Sequence, residues 1–111
     1  MRNFPRQFQG PIREGKVTVA FRDWAHPKVQ AGKVYDALNV GNLLVEEVKR
    51  INLKDMREGD AVAAGWRSLS DFRANYEQAH PSCNFDHEKA YRIRFRHVDG
   101  TRPADGEING Q

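Results

Sequence analysis

The chain of 111 residues carries 18 Lys and Arg against 15 Asp and Glu, a formal net charge of +3. This mild excess permits a polyanionic partner without requiring one. The single cysteine excludes an internal disulfide, and no apolar run approaches the roughly 18 residues of a membrane span. The composition therefore predicts one globular domain in a reducing cytoplasm, with no secretory signal at its start and no membrane partner.

The first predicted elements are a short helix and a strand. "FQGPIREG" is typical of a helix with Pro11 at its first position and Gly15 at its end. "KVTVAFR" then alternates with period two, which puts Val19 and Phe21 on one face of a strand and Ala20 on the other.

Two further strands follow. "KVYDALNV" predicts a second strand that ends at Gly41, and "NLLVEEVKRINL" predicts a long third strand. The apolar alternation slips between Val45 and Val48, and a β-bulge at Glu46 and Glu47 would restore the register. As neighbours on a strand, these two glutamates are expected to point to opposite faces.

Two helices come next, each with an N-terminal capping signal. "DMREGDAVAAG" predicts a helix that starts at Asp55, with an acidic residue three positions later, and ends at Gly65. In "SLSDFRANYEQAHP", Ser68 with Asp71 repeats this signal, and Ser70 competes for the same role.

The chain then returns to a strand, "EKAYRIRFRHV". The order of one helix, three strands, two helices and a strand favours an α+β fold with a small, strongly bent sheet closed against helices. Residues 1–98 are expected to form the single domain, and the polar residues 99–111 to form a flexible tail.

The motifs, taken in order, resemble a known family. They are the segment from Gly15 to Arg22, then "INLKD", "GDAVAAGW", "SLSDF" and "RIRF". Together they resemble the ASCH family of the PUA-like superfold over residues 4–98. The resemblance implies a small PUA-like β-barrel with flanking short helices, a cleft used on RNA or nucleosides, and a small protein of prokaryotic or phage type.

One bacterial branch of this family is an amidohydrolase of acetylated cytidine. The resemblance places its catalytic Lys, Thr and Glu at Val17, Ala20 and Ala64 of this chain. Alkyl side chains supply neither a nucleophile nor a proton. Lys16 lies one residue early, on the opposite face of an extended segment, and would reach the cleft only from a helical or bulged backbone.

The last strand carries a row of arginines. Arg92, Arg94 and Arg96 share one face, with same-face residues about 6.6 to 6.8 Å apart, which suits a phosphate backbone. Two alternatives stay open: a charged edge strand that resists sheet-to-sheet association, or ion pairs with Glu46 and Glu47.

Two tryptophans are candidates for base stacking. Trp24 follows the first strand in a loop, and Trp66 follows the helix-ending glycine. The alternative for Trp66, which we favour, is a place in the hydrophobic core.

The segment "HPSCNFDH" holds residue types that zinc uses. His80, Cys83, Asp86 and His87 lie within eight positions, but the spacing lacks a paired C-x2-C element. Turn composition explains the segment, so no metal, no cofactor and an inert cysteine are expected.

The sequence thus predicts a non-catalytic ASCH-like domain that binds RNA or another single-stranded nucleic acid. Two alternatives remain: a nucleoside or RNA hydrolase with altered catalytic residues (amidohydrolase or ribonuclease), and a protein-interaction or regulatory domain. The candidate binding residues are Lys16, Arg22, Trp24, Trp66, Arg92, Arg94 and Arg96.

Overall fold

The structure is a computed structural model that describes residues 3–98, so the predicted tail lies outside the described residues. The helices of residues 3–98 lack the length and the apolar character that a membrane span requires. In chain order the elements are α1 (Arg6–Arg13), β1 (Val19–Arg22), β2 (Val34–Ala37), β3 (Gly41–Asn52), a 3-10 turn (Leu53–Asp55), α2 (Glu58–Ala63), α3 (Leu69–Ala79), a second 3-10 turn (Phe85–His87) and β4 (Lys89–His97).

The four strands form one antiparallel sheet in the order β1-β4-β3-β2, curled into a half-barrel. This arrangement confirms the α+β prediction. β4 pairs with both β1 and β3, so the idea that its arginines protect a sheet edge is wrong. The edges of the sheet are instead the two shortest strands, of four residues each.

The bulge predicted in β3 is confirmed, because the register with β4 shifts between Val45 and Glu47. The extra residue, Glu46, changes the direction of the side chains around it. Glu46 and Glu47 both form ion pairs with arginines of β4, so the expectation that they point to opposite faces is wrong.

Helix α1 ends as predicted, at Gly15 with φ +78°, but it starts earlier. Pro5 precedes its first turn, and Pro11 lies inside the helix rather than at its first position. Pro11 has no N–H for the carbonyl four residues back, and in a helix of eight residues this removes one hydrogen bond. Burial of Phe8 and Ile12 on one face compensates, since that face packs on the sheet.

Helix α2 also starts at a different residue. The chain makes a 3-10 turn to Asp55, buries Met56, and begins α2 at Glu58, after Arg57. The carboxylate of Asp60 accepts from the backbone N–H of Arg57 at 3.0 Å, so an acidic residue three positions on does cap the helix, two residues later than predicted.

The other helix limits follow the sequence. Gly65, with φ +99°, lies just after α2 as predicted. Ser68 is the N-cap of α3, and its hydroxyl accepts from the N–H of Asp71 at 3.0 Å, so Ser70 is not the cap.

Two hydrophobic clusters cover opposite faces of the sheet. The first lies under α1 and contains Ile12, Ala20, Ile93 and Phe95, and the second lies under α2 and α3 and contains Ala61, Phe72 and Ala90. Val19 and Ala20 are both buried, because both faces of this strand are covered.

Candidate functional site

A pocket of about 200 Å³ opens at the β1 edge of the sheet, between α1 and α3. Its walls are largely apolar, with aromatic and alkyl side chains. Five polar or charged side chains also reach it: Arg22 on β1, Asp23 just after β1, Asn75 and Tyr76 on α3, and His80 at the end of α3. The aromatic wall includes Phe4, Phe8, Trp66, Phe72 and Tyr76. A concave apolar site with a few polar groups is the usual form of a small-ligand pocket.

Arg22 supplies the positive charge of this pocket. Its guanidinium carbon lies 5.1 Å from the centre of the Phe4 ring, and its Nη2 donates to the carbonyl of Asn3 at 3.3 Å. Nη1 donates to the carbonyl of Phe21 at 3.3 Å. Burial lowers the pKa of the Arg22 guanidinium, and the charge of Asp23 acts in the opposite direction.

Arg22 pairs with no carboxylate in the part of the chain that the structure describes. Two carbonyl contacts leave most of the five N–H groups of a guanidinium unused. A partly desolvated cation with unused donors favours an anion such as phosphate, because a charge-assisted hydrogen bond is stronger where water is partly excluded.

A contact between a histidine and a carboxylate links the end of α3 to the end of β1 at the pocket. Nε2 of His80, at the end of α3, lies 3.1 Å from Oδ2 of Asp23, and Nδ1 lies 3.1 Å from the carbonyl of Tyr76. The His80 ring also stacks on Tyr76, with centroids 4.3 Å apart. Both ring nitrogens are therefore engaged, and neither is free to act as a base on a ligand.

The three positions to which the sequence resemblance assigns the catalytic groups of an amidohydrolase lie together in this pocket. Val17, Ala20 and Ala64 are buried and line it with alkyl groups. Lys16 does not reach this pocket. Its ammonium lies 3.3 Å from Glu14 at the surface, outside the pocket residues.

The arginines of β4 are paired with carboxylates. Arg92 contacts Glu47 at 3.1 Å and Asp60 at 3.5 Å, Arg94 lies 3.7 Å from Glu47, and Arg96 lies 3.1 Å from Glu46. This is the ion-pair alternative that the sequence left open. The side chains of Arg94 and Arg96 are about half exposed (51% and 59%), whereas that of Arg92 is 22% exposed.

These arginines also lie on the other face of the sheet from Arg22. In the β1–β4 register Arg22 faces Tyr91, and Phe21 faces Arg92. Partners across an antiparallel pair share a face and neighbours along a strand alternate. The structure therefore divides the cationic candidates between two surfaces.

The two tryptophans have different surroundings. Trp66 is half-buried, packs edge-on against Phe8 (5.3 Å) and Phe72 (5.9 Å), and also reaches the pocket. It therefore joins the core and lines the site. Trp24 packs against Tyr91, with ring centroids 6.5 Å apart, and Lys28 Nζ lies 5.9 Å from its ring.

The segment from His80 to His87 does not converge on one point. His80 contacts Asp23, and Asp86 lies 3.6 Å from Arg73. Among residues 3–98 no three His, Cys, Asp or Glu side chains form a group that could hold a metal ion. Partial burial, together with Glu88 and Glu77, raises the pKa of the Cys83 thiol, so little nucleophilic thiolate forms at neutral pH.

Sequence reasoning missed part of the site. Phe4 lies before α1, with no pattern that marks it. Asp23 and His80 are 57 residues apart, and only the tertiary structure brings them together. Tyr76 packs against the second hydrophobic cluster, and a tyrosine among the apolar residues of a helix is typical of a core position rather than of a binding site.

The chain is similar to solved structures of two bacterial proteins. One is the DUF984 protein EF3133 from Enterococcus faecalis V583, with a TM-score of 0.64 and 15% identity, covering 83% of this chain and 70% of that chain. The other is an ASCH domain from Lactobacillus crispatus JV V101, with a TM-score of 0.64 and 11% identity, covering 86% and 76%. No protein-family model and no curated protein matches the sequence. The likeness shows that the chain has an ASCH-like fold.

Proposed function

We propose that this ASCH-like domain binds RNA or another single-stranded nucleic acid without catalysis, and that it takes one nucleotide into the pocket at the β1 edge. One observation carries the proposal. Arg22 presents a partly desolvated guanidinium, unpaired with any described carboxylate, inside a pocket with aromatic walls.

The chemistry of the walls suits a nucleotide. A base is flat and stacks on aromatic rings, and the pocket offers Trp66 and Phe4 for such contacts. The phosphate is an anion with several acceptor oxygens, which match the unused N–H groups of Arg22. Asn75 and Tyr76, on α3, bring a carboxamide and a phenol that suit the polar edge of a base.

The same pocket does not suit hydrolysis. Val17, Ala20 and Ala64 offer no nucleophile or proton carrier, and His80 has both ring nitrogens engaged. Cys83, whose pKa is raised by partial burial, is a weak nucleophile and does not line the pocket. These contacts support binding rather than turnover.

The test is binding of short labelled RNA at low salt, measured by fluorescence anisotropy with pentaribonucleotides of A, of C, of U and of mixed sequence. We expect micromolar affinity for at least one, and a loss of about tenfold or more in Arg22→Gln, because hydrogen bonds to charged groups contribute about 1.5–3 kcal/mol. Thermal unfolding of the variant establishes that it is folded.

Arg94→Gln is the matched control, since it removes one arginine on the opposite face of the neighbouring strand. It should change the affinity less than twofold. The proposal is wrong if the native protein binds none of the four pentanucleotides, or if Arg22→Gln binds as tightly as the native protein. An equal loss of affinity in both variants would show that binding of the nucleic acid does not depend on the pocket.

A further inference from the structure

A row of cationic and aromatic side chains crosses the sheet beside the pocket. Tyr91 on β4 is the register partner of Arg22 on β1 and of Arg50 on β3. Register partners share a face, so these three side chains lie on one face of three adjacent strands. At two strand spacings, Arg22 and Arg50 lie about 10 Å apart at the backbone, with the Tyr91 ring between them.

Trp24 and Lys28 extend this row above the sheet. Trp24 packs against Tyr91 with centroids 6.5 Å apart, and the ammonium of Lys28 lies 5.9 Å from the Trp24 ring. Both rings are half-buried, so each is held in place and keeps part of its surface in solvent. Lys89 is two positions before Tyr91 on β4 and therefore lies on the same face.

The cations of this face differ from those of the opposite face in their partners. Within residues 3–98, Lys28, Arg50 and Lys89 form no ion pair, whereas each arginine of the β4 row forms at least one. Two acidic residues of this region have other contacts. Asp23 contacts His80, and Asp55 accepts from the amide of Asn52 at 3.4 Å.

At the end of the sheet, Arg50 and Lys89 also line an open groove of about 410 Å³, which they share with Lys49 and Arg92 of the opposite face. Its ionisable lining is positive on balance, with four basic side chains (Lys49, Arg50, Lys89, Arg92) and two acidic ones (Asp55, Asp60). Asp60 is held by Arg92 and by the backbone of Arg57, and Asp55 accepts from the neutral amide of Asn52. Within residues 3–98, the two lysines and Arg50 are the basic groups of this lining that form no ion pair. This excess of positive charge suits a polyanionic ligand.

We propose that a single strand of nucleic acid leaves the pocket at Arg22, passes over Tyr91 and Trp24, and reaches Arg50 and Lys89. The inference rests on the proposed function, because it assumes that one nucleotide occupies the pocket. It adds that the protein recognises a segment of several nucleotides. The backbone is bound by cations across the strands, and bases next to the bound nucleotide stack on Tyr91 and Trp24.

The test compares a ribonucleoside 5′-monophosphate with the pentaribonucleotide of the same base, by calorimetry over a series of salt concentrations. We expect the pentanucleotide to bind at least tenfold more tightly. Arg50→Gln combined with Lys89→Gln should remove most of this advantage and leave the mononucleotide affinity within twofold. The slope of log affinity against log salt should fall in magnitude by about 1.4, at about 0.7 for each phosphate contact on a single strand.

Two further variants separate charge from stacking and one face from the other. Trp24→Ala should weaken pentanucleotide binding about tenfold with little change in slope, and Trp24→Phe should recover most of the loss. Arg94→Gln combined with Arg96→Gln removes two charges from the opposite face and should change neither affinity nor slope appreciably. A pentathymidylate arm distinguishes RNA from single-stranded DNA.

The outcomes separate this inference from the proposed function. Binding of the mononucleotide with no gain for the pentanucleotide overturns the inference alone, and so does a gain that survives in Arg50→Gln with Lys89→Gln. A gain lost in the Arg94 and Arg96 control shows a path along β4 instead, which also overturns it. Binding of neither ligand overturns the proposed function and this inference together.

Discussion

At the scale of single residues, Tyr76 joins the pocket to the Asp23–His80 contact. Burial raises the pKa of its phenol to about 12, and the charges of Glu88, Asp23 and Cys83 add to the shift. The ordinary value is 10.0, so the neutral phenol is favoured in the folded protein. This contribution to stability is complete below about pH 10 and is lost as the pH rises towards 12.

The prediction is a late phenolate step in a titration followed by ultraviolet absorbance. One phenol should ionise near pH 12 in the native protein, because its folded-state pKa is raised, and Tyr76→Phe should lack that step. Tyr35→Phe is the matched control and should retain it. A titration curve that is unchanged near pH 12 in Tyr76→Phe would contradict this assignment.

Residue by residue, the sequence named Arg22 and Trp66, and the structure places both in the pocket. Arg22 ends the motif that begins at Gly15, and Trp66 follows the glycine that ends a helix, so both can be identified from local sequence. The sequence does not record that Phe4 lies over Arg22 or that Asp23 meets His80, because these contacts depend on how distant segments pack. The pairing of Arg94 and Arg96 depends on the bulge at Glu46, whose effect on side-chain direction was missed.

At the scale of elements, two features of the position after α2 require a glycine there. Gly65 has φ +99°, and a Cβ at this position would lie 2.7 Å from the Phe8 ring and 3.1 Å from Val17. Gly65→Ala should therefore destabilise the fold by about 2 kcal/mol or more, from backbone strain and from overpacking. Because Phe8 and Val17 line the pocket, nucleotide binding should weaken as well.

Gly59→Ala is the matched control for this prediction. Gly59 lies within α2, and a Cβ there would meet no atom within 4 Å. Alanine is the better helix former, so this variant should gain up to about 1 kcal/mol. Urea denaturation measures both changes, and similar values for the two variants would contradict the account of Gly65.

Element ends marked by glycine were predictable, as Gly15 and Gly65 show, because few residues adopt a positive φ. The residues at which the helices start were harder to predict. Asp55 and Asp60 both offer a carboxylate for capping, and the choice depends on burial of Met56, a tertiary event that moves the start of α2. The sequence favours Pro11 in the first turn of α1. In the structure the helix already begins at Arg6, and this earlier start lets Phe8 be buried.

At the scale of the whole molecule, the sheet separates charge into two surfaces. On one face the arginines of β4 are paired with Glu46, Glu47 and Asp60, and on the other Arg22 and Arg50 flank Tyr91 without carboxylate partners among residues 3–98. Periodicity along β4 made the first set visible in the sequence. The second set depends on the register of three strands, and no local pattern contains that register.

The central claim is that a nucleotide enters the pocket, and the two tryptophans of the chain provide a direct measurement. Each contributes one indole N–H signal to a nitrogen–proton correlation spectrum, and Trp24→Phe assigns them. Titration with a mononucleotide should shift the Trp66 signal, since Trp66 lines the pocket, and a pentanucleotide should also shift that of Trp24. An unmoved Trp66 signal at saturating mononucleotide or pentanucleotide would contradict the account.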